Sequence, residues 1–449
     1  MGAYSPRLVM KALLLVTVLL SVLLFFAVAQ GPAPTMHIQL DPPGSFGPEI
    51  VNAYVDPRTG DRYILGSEGQ LFVLNAKNVK LIDPIQLNFG NDPNYQPNNL
   101  MCFAPDPTHQ QVHVVLLNAT TFPTVYSVWK QALAAPFNLE YAFDISFPGL
   151  GAFVLGDATC QLQSTHSGPV LTFGVFASVS VPLTIQLITY DLHNGNLHQM
   201  YNQTTVLERS TQRPFGSFYQ LVDLEGLVVV LLSETSTDIY YINWKSGDFK
   251  YLENVDITPA QIAADGNLLF LLSDNGTPNA ASSAAIKMFS LNDGIKETDH
   301  INISLPNASS CGFSVWPAVY NPIQQGLYFS TGAIVDCGGF NGVFLVDVSI
   351  DASTNTIAAV NYNLPFESGT QLSYMGNGFA ALALDPSQET LVAFYGSSNY
   401  FATTGLLIFT APLSSTASPT LTMDIASLPV MTNLYSACTH PTDHSTYWA

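Results

Sequence analysis

Cys438-Thr-His440-Pro-Thr-Asp443-His444 puts a thiol, two imidazoles and a carboxylate close together near the C-terminus. These are donor types that hold transition metals. The same slot earlier in the chain reads Asp106-Pro-Thr-His109 and Asp56-Pro-Arg-Thr-Gly-Asp61. There the polar residues suit a turn, and the turn reading is preferred throughout. Gly149-Leu-Gly151 with Gly156 resembles a phosphate loop but lacks the G-x-G-x-x-G spacing. Gly338-Gly339-Phe-Asn-Gly342 also reads as a loop. No G-x-S-x-G, H-E-x-x-H, Walker or sialidase-type Asp-box sequence occurs. Glu49, Glu68, Glu208, Glu225, Glu234 and Glu253 are scattered acids. Two of them meeting across a channel would suit glycoside hydrolysis. No catalytic residue is assigned.

The elements that must position these residues come from an unusual composition. The chain has 449 residues, 13 Lys+Arg and 33 Asp+Glu, for a net charge of −20. Charged residues make up 10% and hydrophobic ones 47%. That is too apolar for intrinsic disorder and too poor in cations to grip a nucleic-acid backbone. The acidic excess permits one hard cation, calcium, held by Asp and Asn oxygens. Solvated acids explain it equally well, and no cofactor is assigned.

The N-terminus reads as an address. Arg7 and Lys11 precede the uncharged apolar run Ala12–Ala29, which ends in Ala27-Val28-Ala29 before Gln30-Gly31-Pro32. This is the layout of a secretory signal peptide over 1–29, leaving 30–449 as the mature domain. The alternative is an N-terminal membrane anchor, because the run just reaches spanning length. No later segment reads as a span. Export agrees with five N-x-S/T triplets at Asn118, Asn202, Asn275, Asn302 and Asn307, Asn275 being weakened by Pro278. The cysteines are Cys102, Cys160, Cys311, Cys337 and Cys438. Sequence proximity ranks Cys311–Cys337 first and Cys102–Cys160 second as disulfides, leaving Cys438 odd. Buried free thiols are the plainer alternative.

Short runs rich in Val, Ile, Leu, Phe and Tyr alternate with Gly, Pro, Asn and Asp, as in Val112–Leu117, Leu227–Leu232 and Leu391–Tyr395. They read as strands. Tyr126–Leu133 is the one modest helical candidate, and it reads equally well as a strand. A punctuated unit recurs about every 55 residues. Its first strand ends at Asp56, Asp106, Ser164, Asp223, Asp265, Asn321, Asp385 and His440. Four short strands per unit is the pattern of a β-propeller blade, whose sheets are buried on both faces. Unit two is expected at 100–105, 112–117, 125–129 and 139–145. Unit seven is expected at 378–384, 391–395, 405–410 and 420–425. Two β-sandwiches are the rival.

The chain is therefore expected to be all-β, a propeller of seven or eight four-stranded blades with the last incomplete. Met36–Leu40 could supply an outer strand to an eighth blade together with 434–440 and 445–448. The units resemble those of WD40, YVTN and NHL-type propellers, without a Gly-His…Trp-Asp or kelch signature. That resemblance implies a fold and leaves function open. The function expected is a secreted or cell-surface, non-catalytic binding platform for a protein or glycan, met where blade-connecting loops gather. The alternative is a secreted propeller hydrolase or lyase acting on carbohydrate. The sequence does not address oligomeric state.

Overall fold

The structure is a computed structural model. It describes residues 50–66, 69–90, 99–118, 125–147, 159–165, 168–177, 183–207, 216–221, 226–232, 236–243, 246–257, 259–265, 267–274, 283–291, 296–304, 313–333, 343–351, 353–363, 381–385, 389–397, 404–412, 422–424, 437–439 and 446–448. Seven four-stranded antiparallel sheets follow one another along these residues, each built from consecutive strands. Blade 2 runs Leu100–Asp106, Gln111–Asn118, Val125–Ala132 and Leu139–Ser146. Blade 7 runs Ala381–Asp385, Thr390–Ser397, Thr404–Pro412 and Thr422–Asp424. Both match the expected units to within a few residues, and Tyr126–Leu133 falls mostly within a strand.

The sheets form a β-propeller, and its ring closes at seven. The innermost strands touch in chain order, and Ala381–Asp385 of blade 7 meets Ile50–Val55 of blade 1. Ile50, Val55, Ile64, Phe72 and Leu74 of blade 1 share one buried cluster with Val392, Phe394 and Ile408 of blade 7. An eighth blade has no gap to enter. Among the described residues Ala437–Thr439 and Thr446–Trp448 pair with each other alone, as a separate two-stranded sheet. Met36–Leu40 lies outside the described residues.

Blade 4 shows why the strands are apolar without alternation. Its second strand, Gly226–Leu232, is buried at every position. Leu227, Val229 and Leu231 pack toward blade 3, with Leu187 and Ile185. Val228, Val230 and Leu232 pack toward blade 5, with Leu269 and Leu271. Each such side chain removed from water contributes roughly 1.5–3 kcal/mol. Outer strands see solvent on one edge and carry polar residues, as in Asn196–Leu207.

Sheet edges invite pairing with other chains. In blades 2 to 6 the register between the third and outer strands slips once, at Val128/Trp129, Thr189/Tyr190, Ile239/Tyr240, Met288/Phe289 and Ser349/Ile350. The slip leaves one extra residue in each outer strand, a bulge that twists the exposed edge.

Candidate functional site

Antiparallel order gives the ring two unlike ends. The inner-to-second and third-to-outer turns gather at one end, here the turn end. The second-to-third connections and the links between blades gather at the other, the loop end. Inner-to-second turns span two residues (166–167) to six (56–61). Links between blades span five (256–260) to seventeen (364–380).

The turn end is ordered by one repeated device. The inner strand stops at a buried Asp or Asn that folds the following turn onto itself. Asp56 Oδ1 accepts from the Arg58 amide at 3.0 Å. Asp106 Oδ1 accepts from the His109 amide at 3.2 Å. Asn321 Oδ1 accepts from Ile323 N at 3.0 Å. Turns within one blade are then tied together. Gln110 O accepts from Leu133 N, Asn267 O from Leu291 N and Gln325 O from Ile350 N, at 2.7–2.8 Å. Gln110 and Gln325 hold positive φ (51° and 54°).

Charge concentrates where blades 7, 1 and 2 meet this end. Asp56, Asp106, Asp385 and Arg62 are all buried there. Arg58 lies beside Asp56, 3.3 Å away, and its hydrogen bond and attraction to that carboxylate raise the guanidinium's pKa. Burial raises Asp61, opposed by a hydrogen bond from Thr59 and helped by the negative charges of Asp56 and Asp385. Burial is also the main cause that pushes Tyr63 upward. Asp56 and Asp106 are already spent on turns, so this cluster reads as architecture. Among the described residues no three His, Cys, Asp or Glu side chains are arranged to hold a metal.

The seam between blades 2 and 3 carries the second concentration of polar groups. His109 Nδ1 donates to Asp106 Oδ2 at 2.7 Å. Gln111 Nε2 donates to Gly195 O of blade 3 at 2.5 Å. Lys130 Nζ donates to Asn196 Oδ1 of blade 3. Gly195 sits at φ 76° after Asn194 at 49°, a two-residue hairpin turn. A Cβ on Gly195 would come within 3.1 Å of the His109 ring. The inner strands of the same two blades are joined by the Cys102–Cys160 disulfide. The sequence reading ranked this pair second, and the packing of successive inner strands side by side is what brings the two cysteines together. Cys311 and Cys337 lie outside the described residues, and only the backbone of Cys438 is described.

The other sequence-derived candidates disperse. Asn202 and Asn302 are exposed on the outer strands of blades 3 and 5. Asn202 accepts from Gln186 Nε2 at 2.9 Å. Asn118 is buried at the loop end of its strand, so the fold does not present it to solvent. Asn275 and Asn307 lie outside the described residues, as do His440, Asp443, His444, the Gly149–Gly156 stretch and Gly338–Gly342. Glu253 is exposed on the outer strand of blade 4, away from the ring centre. Glu49, Glu68, Glu208, Glu225 and Glu234 lie outside the described residues. Among the described residues no helix is long and apolar enough to cross a membrane.

No family model and no curated protein matches the chain. Solved structures do resemble it. The WD40 repeats of RRP9 align with TM-score 0.49 and 8% identity over 88% of this chain and 99% of theirs. The Dos1 propeller aligns with 0.48 and 10%, over 90% and 89%. The periplasmic gluconolactonase PpgL of Pseudomonas aeruginosa aligns with 0.47 and 12%, over 86% and 98%. Similarity at this level transfers neither ligand nor reaction.

Proposed function

We propose that the protein is an extracellular binding platform whose ligand, a protein or a glycan, is met at the loop end of the propeller. One observation carries this reading. The ring is tightened at its turn end by capped and cross-tied turns, while its three longest connections, 87–99, 147–158 and 364–380, leave the loop end. A rigid scaffold carrying variable connections at one end is how binding surfaces are commonly built. The nine-residue connection 334–342, within blade 6, and the seventeen-residue link 364–380, which leads from blade 6 to blade 7, are taken as the centre of the proposed surface. Export is part of the proposal. It rests on the signal-like 1–29 segment and on the Cys102–Cys160 disulfide, a bond that persists in oxidising compartments.

The test uses residues 30–449, secreted and immobilised, against extracellular protein and glycan arrays. Saturable binding should be lost when 334–342 and 364–380 are replaced by short Gly-Ser links. It should survive Arg58→Ala at the turn end. Binding that follows Arg58 instead, or turnover of a carbohydrate substrate with no binding dependence on these links, overturns the reading.

A further inference from the structure

His113 is fully buried on the second strand of blade 2. Alternation along the strand aims it at blade 3. Val112 and Val114 join the cluster shared with blade 1, and Val115 joins the cluster shared with blade 3. Neither ring nitrogen makes a well-formed hydrogen bond, the Ala104 and Gly195 carbonyls standing beside the ring as weak acceptors. An imidazole ordinarily satisfies at least one. Lys130 is its direct cross-strand partner on one side and Ala104 on the other. Two hydrogen bonds from blade 2 to blade 3, Gln111 to Gly195 and Lys130 to Asn196, start from the same strand pair.

We propose that His113 is a proton-operated release in the seam between blades 2 and 3: neutral, it lets the seam close, and protonated, it forces the turn end of that seam apart. An imidazolium here would be buried with only the Ala104 and Gly195 carbonyls as acceptors and a like charge directly opposite. Adjacent like charges across a strand pair are destabilising, and a buried unpaired charge more so.

The surroundings offer little compensation. On the inner strand of blade 2 Asp106 is the one carboxylate, and it is engaged by His109. Across from Lys130 on the outer strand stands Glu140, which is exposed. Tyr190 of blade 3 belongs to the shared cluster and stays neutral, since burial pushes it up to about 12. His193 and His198 stack with each other. They alternate with Leu192 and Leu197 of the shared cluster, so they face away from blade 2. Burial first, and then the charge of Lys130, lower His113 from 6.5 to about 4. Asp106 and the Ala104 and Gly195 carbonyls oppose this weakly.

The sign is fixed by linkage. A histidine with a depressed folded pKa destabilises the fold as pH falls. The seam is at full strength above about pH 6.5. It weakens as pH drops toward about 4, by at most a few-hundred-fold in the opening equilibrium. The Cys102–Cys160 bond holds the inner strands meanwhile, so opening is local.

Hydrogen exchange measured from pH 7.5 to 4.5 tests this, with rates corrected for intrinsic pH dependence. Residues 111–117, 126–131 and 187–197 should lose protection about tenfold by pH 5.5 and more below it, while 227–232 and 239–242 of blade 4 keep theirs. His113→Gln should remove that pH dependence. If that variant fails to fold, Lys130→Met serves, since removing the opposing charge raises the folded His113 pKa and should shrink the loss of protection at low pH without moving its onset. Equal loss in all blades, or a pH profile unchanged by both variants, overturns the proposal.

Discussion

The two ends of the ring are made from the same strands and obey different rules. At the turn end the reversals of blades 1, 2 and 6 have a stated cause, a buried Asp56, Asp106 or Asn321 that folds the turn, and in blades 2, 5 and 6 backbone bonds tie neighbouring turns together. At the loop end connection length varies from three residues (67–69) to seventeen (364–380). Loop closure grows costlier only slowly with length, so a rigid ring tolerates such variation. The turn end can therefore set stability while the loop end sets specificity. Experiments can break this division or sharpen it.

The largest effect should come from neither end. Cys102 and Cys160 are 58 residues apart and join two inner strands. In the chain-entropy view a loop of that size stabilises by about 4 kcal/mol. Paired Cys→Ala substitution should lower the denaturation midpoint accordingly, with ligand affinity at the loop end unchanged in the folded fraction. Loss of affinity at full foldedness would show that the ends are coupled through the ring.

At the turn end, Gly195→Val should cost about 2–3 kcal/mol, since it adds a β-branched side chain at positive φ. Its Cβ would also press on His109, which caps Asp106. Chemical denaturation with an unchanged slope would attribute the loss to the folded state.

How legible this was differs by level. The unit was readable because its punctuation is chemical. Asp or Asn before Pro folds a turn, and Asp56, Asp106, Asn321 and Asp385 mark in this way the ends of the inner strands of blades 1, 2, 6 and 7. Ring number was not readable, because Ala437–Thr439 repeats the pattern of an inner strand without joining the ring. Only the packing of Val392 and Phe394 against Ile64 and Phe72 decides closure. The outer-strand bulges left no sequence signal, since Ala142, Thr298 and Ala358 are ordinary strand residues. His113 was invisible as well. A lone histidine between valines has no meaning until Lys130 stands opposite it.

Asn321→Ala should cost about 1 kcal/mol, in the range for a lost side-chain cap. Asn321 Oδ1 accepts from the amides of Ile323 and Gln324, and both would turn to solvent. Asn321→Asp should restore most of the loss, which separates capping from mere side-chain removal. The readout is thermal unfolding of the matched pair.

The smallest change in stability should come from the loop end, and it is the most informative. Replacing 398–403 of blade 7 by a four-residue Gly-Ser turn leaves Thr390–Ser397 and Thr404–Pro412 paired as before. Their cluster with blade 1 stays buried. Substitutions away from packed features usually stay within about 0.5 kcal/mol, so unfolding should barely move. A drop comparable to that of Gly195→Val would mean that this connection is part of the ring's framework. The division between the ends would then hold for blades 1 to 6 and fail at the closure.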